Sequence, residues 1–286
     1  MGSGGGKGEE ESGGAAGGGG SNELKVLYTN AQSVVNKMGE LRAVVSIKQP
    51  DVIALTETWT NPDISNEYLS LDGYELMERK DREDTDRGRG GGILVYVAKG
   101  ICAWKVEVPG SFEQRALVKL RRKSGELGIY IIYRSPNSTS NNDASLCDLV
   151  KEIRDNDILI GDFNFPGIHW ETGRADAKGR AFYEEMEENF LIQHVNESTH
   201  TSGNTLDLII SKDEQLVQNV EYEGRLGKSD HEMIMATVRI EMVESSIPSR
   251  LRNFNRANFS EMRKEVGSVD WKQSCITREW KNRGAS

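Results

Sequence analysis

Apolar and polar residues alternate with two different periods along residues 24–240, and these periods predict where strands and helices form. The segment LKVLYTNAQS, residues 24–33, begins with the two-residue alternation of a strand. The next segment places Val35, Met38 and Leu41, and then two further valines, at helical spacing. A second apolar run, PDVIALTETW, predicts another strand. This β-α-β order predicts a sheet that is at least partly parallel.

The rest of this region predicts more strands than helices. Single strands are predicted in GGILVYVAKG, DILIGDFNFP, TLDLIISKD and HEMIMATVRIEM, and ALVKLRRKSGELGIYIIYRSPN predicts two strands joined by a hairpin at residues 123–126. Helices are predicted over Asp143–Arg154 and Gly179–Phe190. Because several successive strands have no helix between them, the sheets should be mixed. The pattern therefore favours a layered α/β sandwich over a purely doubly wound fold.

Both ends of the chain differ in composition from this region. Residues 1–22 contain 11 glycines and cannot form a core, so they are interpreted as a flexible glycine-rich leader. Residues 242–286 contain nine basic and five acidic residues after the last predicted strand. We predict one folded domain over residues 23–241, followed by a basic tail that is partly disordered.

Composition narrows the possible classes of protein. The 286 residues are 36% hydrophobic, which permits a sizeable core. The three cysteines have no CxxC spacing, and no apolar run approaches the length of a membrane span or a secretory signal, so we predict an intracellular protein. A net charge of -9 argues against a protein that coats nucleic acid by charge alone. It is compatible with a nuclease that gathers carboxylates around a metal ion.

Polar residues gather where the predicted strands end. An Asp or Asn after a strand is usually a turn or cap residue, so each one alone is a weak signal. In an open α/β sheet, however, neighbouring strand ends converge on a crevice where ligands bind, and the joint occurrence is informative. The residues at these positions are Asn30, Gln32, Glu57, Tyr133, Arg134, Asp162, Asn164, Asp207, Ser229, Asp230 and His231.

Six motifs carry a family resemblance, in the order TNAQS, LTETW, YRSPN, GDFN, TLDLI and SDH. They resemble the signature of the endonuclease/exonuclease/phosphatase superfamily, which includes DNase I and the abasic-site repair endonucleases. The longer segments LYTNAQS, GGGILVYV, GDFNFPGIHW and KSDH resemble the endonuclease domain of LINE-type (non-LTR) retrotransposons, of the jockey and chicken-repeat kind. The resemblance implies a four-layer α/β sandwich of two packed mixed sheets flanked by helices.

The resemblance also implies a metal site. Glu57, with Asn30 and Asp230 beside it, would bind Mg²⁺, for which Mn²⁺ could substitute. Oxygen ligands of this kind suit a hard cation. Hydrolysis of a phosphodiester needs such charge stabilisation on the non-bridging oxygens of the phosphate.

Five further residues are implied to be catalytic. His231, oriented by Asp207, would contact the scissile phosphate or help to activate water. Asp162 would transfer a proton of the water or leaving group, and Asn164 would donate a hydrogen bond to the phosphate. Tyr133 stands where DNase I-like members carry a histidine, and tyrosine there is typical of the abasic-site and retrotransposon endonucleases.

Four residues are predicted to contact the substrate: Arg134, Thr199, Ser229 and Trp170. Alternative readings are that Thr199 is simply part of a polar loop and that Trp170 is a core or rim residue.

The resemblance thus predicts a Mg²⁺-dependent endonuclease that nicks double-stranded DNA and leaves a 3′-hydroxyl, as in target-primed reverse transcription. The expected partners are duplex DNA and a reverse transcriptase module of a longer polyprotein, with action in the nucleus and no membrane association. The alternatives are an abasic-site repair endonuclease or an inositol or lipid phosphatase of the same fold. A catalytically silent relic that binds nucleic acid or protein is the alternative from another class.

Overall fold

A computed structural model describes residues 23–81, 90–108, 110–123 and 125–240. The predicted leader, residues 1–22, and the predicted basic tail, residues 242–286, lie outside the described residues.

Fourteen strands and three α-helices form within the described part of the chain. The strands are β1 Glu23–Asn30, β2 Val52–Thr56, β3 Tyr74–Lys80, β4 Ile93–Ala98, β5 Ala103–Val106, β6 Arg115–Arg122, β7 Gly125–Tyr133, β8 Asp157–Asp162, β9 Ile168–His169, β10 Arg174–Ala175, β11 Ile192–Gln193, β12 Asp207–Ser211, β13 Val217–Arg225 and β14 Glu232–Arg239. The helices are α1 Met38–Lys48, α2 Ser140–Lys151 and α3 Arg180–Glu188, and a short 3-10 helix, Val35–Lys37, precedes α1.

Twelve of the strands form two six-stranded mixed sheets, and β9 and β10 form a separate two-stranded antiparallel sheet. The first sheet has the order β13-β14-β1-β2-β4-β3, and the second has the order β11-β12-β8-β7-β6-β5. Each contains one parallel pair at its centre, β1 with β2 and β7 with β8, and the other neighbours are antiparallel. Helix α1 connects the first parallel pair and α2 connects the second. The predicted β-α-β opening and the mixed sheets are therefore confirmed.

Three apolar clusters define four layers. The largest cluster lies between the two sheets and includes Val26, Tyr28, Ile129 and Ile160. A second cluster packs α1 on the outer face of the first sheet. A third packs α2 and α3 on the outer face of the second sheet. The order is helix, sheet, sheet, helices, which is the predicted four-layer α/β sandwich.

The structure differs from the sequence prediction at several element ends. β1 stops at Asn30, before the predicted Ser33, because Gln32 and Ser33 adopt a left-handed backbone with φ of 39° and 74°. Helix α2 begins at Ser140 instead of Asp143, since the Thr139 side chain accepts a hydrogen bond from the backbone N–H of Asn142 at 3.2 Å and caps the helix.

Strands β3, β5 and β13 were not predicted. β3 and β5 are the outer edges of their sheets, and β13 is the other edge of the first sheet. Their burial patterns are irregular because edge strands are only partly covered. The hairpin predicted between residues 123 and 126 is confirmed, with β6 ending at Arg122 and β7 beginning at Gly125. No helix in the described residues has both the length and the apolar character needed to cross a membrane.

Candidate active site

Six side chains from the two sheets meet at one edge of the sandwich. Parallel strands β1 and β2 end there in the first sheet, and β7 and β8 end there in the second. Strand β12 begins at the same edge, and the register places Tyr133, Asp162 and Asp207 side by side. Every one of these three residues hydrogen bonds to a residue of the first sheet or its loops, which gives the cross-sheet pairs Asn30–Asp162, Glu57–Tyr133 and His231–Asp207.

The first pair places a carboxylate in the interior with one oxygen left free. Asn30 Nδ2 donates to Asp162 Oδ2 at 2.9 Å, and both residues are buried. The other oxygen, Oδ1, is buried and has no hydrogen-bond partner. Burial, together with the nearby charges of Asp207 and Glu57, raises the pKa of Asp162 well above its ordinary value, although His231 and Asn30 oppose the rise. A free buried oxygen with a high proton affinity is suited to accept a proton or bind a cation.

The second pair is an imidazole held by a carboxylate. His231 Nδ1 lies 2.7 Å from Asp207 Oδ2, and both side chains are buried. Burial of the ring opposes its protonation, but the hydrogen bond to Asp207 and the charges of Asp207, Asp162 and Glu57 outweigh burial and raise the pKa of His231 to about 9. The pair therefore favours a positively charged imidazole at this edge of the sandwich.

The third pair fixes Glu57. The Tyr133 hydroxyl donates to Glu57 Oε1, and Trp59 Nε1 donates to Glu57 Oε2 at 3.2 Å. Burial and the negative charge of Glu57 raise the pKa of Tyr133, so its hydroxyl keeps the proton that it donates. Glu57 and Trp59 have left-handed backbones, with φ of 48° and 55°, which is unusual for residues of this size. Both carboxylate oxygens of Glu57 are thus oriented by tertiary contacts.

The ligand chemistry at this edge fits a divalent cation. Among the described residues, Asp162, Asp207 and His231 form the one group of acidic, histidine or cysteine side chains whose ligand atoms all lie within 4.8 Å of one another. The Oδ1 atom of Asp162 in this group is buried and has no hydrogen-bond partner. Carboxylate oxygens suit Mg²⁺ and Mn²⁺.

None of the three predicted metal ligands belongs to this group of Asp162, Asp207 and His231. Asn30 and Glu57 lie beside it among the six paired residues, in contact with Asp162 and Tyr133. Asp230 is exposed, and its carboxylate oxygens interact with Gln32 at 3.4 Å and with Thr201 at 3.5 Å. Its position after β13 and before His231 brings its backbone to the edge, but its side chain points to the surface loops.

Arg134, whose contact with the substrate stays a prediction, has several partners within the protein. The side chain is buried, forms two hydrogen bonds with Asp143 at 2.7 and 2.8 Å, and donates to the backbone oxygen of Asn164 at 2.8 Å. Its guanidinium also lies 3.9 Å from the ring centroid of Phe165. With these partners satisfied, Arg134 holds the loop that carries Asn164, whose φ of 51° is left-handed.

Thr199 and Ser229 are also buried, and their hydroxyls bind backbone atoms. Thr199 Oγ1 accepts from the backbone N–H groups of Leu206 and Asp207, each at 3.0 Å. Ser229 Oγ donates to the Asn30 carbonyl at 2.7 Å and accepts from the His231 N–H at 3.2 Å. The hydroxyls of both residues therefore fix the backbone of the site residues, and contact with the substrate stays a prediction for each.

Trp170 lies in a separate groove. It packs against Tyr183 with ring centroids 6.1 Å apart, and both line a groove of about 1040 Å³ that also includes Asn204. None of the six paired residues lines this groove. Trp170 is thus partly buried and lies apart from the six paired residues, and its contact with the substrate stays a prediction.

Sequence reasoning did not assign three residues that belong to the site. They are Tyr28 on β1, which donates to Asp207; Thr56, which ends β2; and Trp59, which donates to Glu57. The two-residue period of β1 could have indicated Tyr28, because it places Tyr28 on the same face as Asn30. Nothing in the local sequence reveals the contact between Trp59 and Glu57.

Comparisons with known proteins agree with this geometry. Residues 127–235 match a family described as endonuclease-reverse transcriptase. The endonuclease domain of TRAS1, a telomere-specific non-LTR retrotransposon, is similar over 77% of this chain and 99% of its own, with a TM-score of 0.58 and 15% identity. The fold is that of the endonuclease/exonuclease/phosphatase superfamily.

Other superfamily members are similar to the same extent. The AP endonuclease LMAP from Leishmania major covers 76% of this chain and 88% of its own, with a TM-score of 0.60 and 17% identity. The 3′ phosphatase NExo from Neisseria, bound to a product DNA hairpin, covers 74% and 98%, with a TM-score of 0.56 and 13% identity. No curated protein matches the sequence. The superfamily resemblance predicted from the six motifs is confirmed, together with its fold.

Proposed function

We propose that the protein is a Mg²⁺-dependent endonuclease that nicks one strand of duplex DNA and leaves a 3′-hydroxyl. The observation that carries the proposal is the His231–Asp207 pair beside Asp162, whose buried Oδ1 has no partner. In this arrangement, His231 can donate a hydrogen bond to a phosphate oxygen, and Asp162 beside it can accept a proton from a water molecule.

The side chains divide the chemistry of hydrolysis between them. Asp162 accepts a proton from the attacking water as the water oxygen bonds to phosphorus, which the raised pKa of Asp162 favours. The bond between phosphorus and the 3′-oxygen breaks, and the 3′-oxygen takes up a proton from water to become the 3′-hydroxyl. The charged imidazole of His231 donates to a non-bridging phosphate oxygen, and Asp207 keeps the ring in the orientation to do so. Asn164 donates its amide N–H to the phosphate.

Glu57 and Asn30 are the residues that we expect to hold the cation, with the free oxygen of Asp162 at the same edge. The chemistry that Mg²⁺ supplies when bound is neutralisation of charge on the phosphate oxygens. Asp230 stays the third predicted ligand, and its exposed carboxylate lies next to Gln32 and Thr201.

Duplex DNA is the proposed substrate because of the retrotransposon endonuclease among the similar structures. The description of the matching family supports a reverse transcriptase as a partner in a longer polyprotein, and DNA as substrate implies action in the nucleus. The AP endonuclease and the 3′ phosphatase among the similar structures define the rival activities that the experiment must separate. We also propose that residues 23–241 are the catalytic domain, with the leader and tail outside it.

The decisive experiment compares four substrates with Mg²⁺ and with EDTA: supercoiled plasmid, a duplex with one abasic site, a duplex with a 3′ phosphate, and a soluble inositol phosphate. We expect nicked plasmid with Mg²⁺ only, and nicks that a DNA polymerase extends without further treatment, since extension requires a 3′-hydroxyl. His231→Ala should lower the nicking rate by about 10²-fold or more. His169→Ala, an exposed histidine on β9, is the matched control and should nick as wild type does.

Cleavage confined to the abasic duplex, the 3′ phosphate or the inositol phosphate would replace the proposal with that activity. A folded protein that binds plasmid without cutting any of the four substrates would establish a silent relic.

A further inference from the structure

Tyr28 has a buried hydroxyl group that takes no part in the hydrolysis proposed for this site. It lies on β1, two residues before Asn30, and its side chain points into the core between the two sheets. No part of Tyr28 is exposed. Its hydroxyl donates to Asp207 Oδ1 at 3.1 Å and lies 2.8 Å from Thr56 Oγ1. The contact with Asp207 joins residues 179 positions apart.

The direction of these hydrogen bonds follows from the number of protons. A tyrosine hydroxyl has one proton, and an ionised carboxylate can only accept. Since Tyr28 gives its proton to Asp207, the Thr56 hydroxyl must be the donor to Tyr28. The result is a chain of hydrogen bonds, in which Thr56 donates to Tyr28 and Tyr28 donates to Asp207. The other carboxylate oxygen of Asp207 lies 2.7 Å from His231 Nδ1.

This chain crosses between the sheets. Thr56 and Tyr28 belong to the first sheet and Asp207 to the second, and all three are buried. Tyr28 therefore constrains the one Asp207 oxygen that His231 does not use. Without it, the carboxylate could rotate about its terminal torsion, which is broad and weakly restricted.

We propose that Tyr28 is a positioning residue of the nuclease site: its hydroxyl, oriented by Thr56, locks the Asp207 carboxylate so that Asp207 holds the His231 imidazole in its working orientation. The proposal rests on the proposed function for its kinetic consequences, but the effect on His231 exists without catalysis.

The first test is Tyr28→Phe, which keeps the ring and removes the hydroxyl. We expect kcat for nicking of a duplex to fall by about 10-fold with KM unchanged, because the DNA contacts remain and only the orientation of the imidazole is lost. Thr56→Val should lower kcat in the same direction by less, and Thr56→Ser should restore it.

Tyr96→Phe is the matched control. Tyr96 is equally buried on β4 of the same sheet, and its hydroxyl donates to the Leu69 carbonyl at 2.9 Å, away from the site. Tyr28→Phe loses two buried hydrogen bonds and Tyr96→Phe loses one, so Tyr28→Phe should lose somewhat more stability. Only Tyr28→Phe should change kcat. An equal fall in kcat for both variants, or a change in KM alone, would overturn the proposal.

A double-mutant cycle tests whether Tyr28 acts through Asp207. In an Asp207→Asn background, Tyr28→Phe should cause little further loss of kcat, since the carboxylate that it positions is absent. Losses that multiply independently would contradict the proposed link.

The imidazole can also be observed directly in metal-free protein by NMR. The Nδ1–H proton of His231 should give a slowly exchanging, downfield signal in wild type and in Tyr96→Phe, and the signal should broaden or shift upfield in Tyr28→Phe. An unchanged signal in Tyr28→Phe would overturn the proposal even if the protein nicks DNA. If wild type shows the signal but cuts no DNA, the proposed function fails while the positioning link stands.

Discussion

The two sheets contribute equal numbers of side chains to the site, but they hold them in different ways. In the first sheet, Glu57 lies in a loop with a left-handed backbone, and so do Gln32, Ser33 and Trp59 near it. In the second sheet, Tyr133, Asp162 and Asp207 are the terminal residues of regular strands. The free-energy cost of the site therefore arises in the first sheet from strained backbone conformations. In the second sheet it arises from the burial of two adjacent carboxylates.

This difference shows why the cross-sheet pairs matter. Each pair joins a loop or strand end of the first sheet to a rigid strand end of the second. The strand ends of the second sheet therefore help to fix the positions of the side chains from the first. The first sheet supplies Asn30 to Asp162 and His231 to Asp207, and its Glu57 accepts a hydrogen bond from Tyr133 of the second sheet. Neither sheet alone could stabilise its own half of the site.

The largest effect on stability should come from Gly161, which precedes Asp162 in β8. A Cβ atom at this position would lie 1.9 Å from the backbone oxygen of Ile132 in the neighbouring strand, which cannot move without breaking the parallel pair. Gly161→Ala should lower the free energy of unfolding by about 3 kcal/mol or more. Gly39→Ala is the control, since its Cβ would meet nothing within 4 Å in α1. Chemical denaturation measures both, and equal small effects would show that the second sheet is not the rigid partner.

An intermediate effect, of the opposite sign, is expected for Asp162→Asn. Because folding raises the pKa of Asp162 above the value of 3.8 in the unfolded chain, its contribution to stability is fully present below that pH and is lost as the pH rises through the folded pKa. In EDTA at about pH 7 the variant should be more stable than wild type by about 1–3 kcal/mol, with the difference shrinking towards about pH 4. Denaturation at several pH values checks this. A difference that does not depend on pH would show that buried charge is not the strain stored in this sheet.

The smallest effect tests backbone strain in the first sheet. Ser33 has a φ of 74°, which costs free energy for any residue with a Cβ atom. Ser33→Gly should relieve that cost and raise the free energy of unfolding by about 0.5–1 kcal/mol, even after the greater freedom of glycine in the unfolded chain. Thermal unfolding measured beside wild type tests it, and a lower melting temperature would show that this loop is not strained.

Much of the fold was visible in the sequence because it depends on local periodicity. The apolar runs of β1, β2, β7, β8 and β12 are buried and regular, so their patterns were unambiguous. The edge strands were missed because partial exposure removes the pattern that identifies a strand. The six paired residues were all nominated, since each lies at or beside the end of a recognisable strand.

The partners of these residues could not be read from the sequence. Whether the hydroxyl of Thr199 meets DNA or the backbone of Asp207 depends on the path of a loop, and the same holds for Ser229. Arg134 resembles a phosphate ligand by type, but a carboxylate on α2, Asp143, satisfies it. In the sequence, Tyr28 looks like the other residues on the inward face of β1, because its partner Asp207 lies on β12, 179 positions away. Long-range contacts of this kind arise only when the two sheets are packed together.

We would first measure the rate of plasmid nicking in Mg²⁺ under single-turnover conditions, for wild type and Asp162→Asn. This rate shows whether the cross-sheet site cleaves phosphodiesters. Asp148→Asn on α2, at a side chain that is 77% exposed, is the control for the change of charge. We predict that Asp162→Asn is more stable yet nicks about 10²-fold or more slowly, while Asp148→Asn nicks as wild type does. An Asp162→Asn protein that nicks as fast as wild type would contradict it.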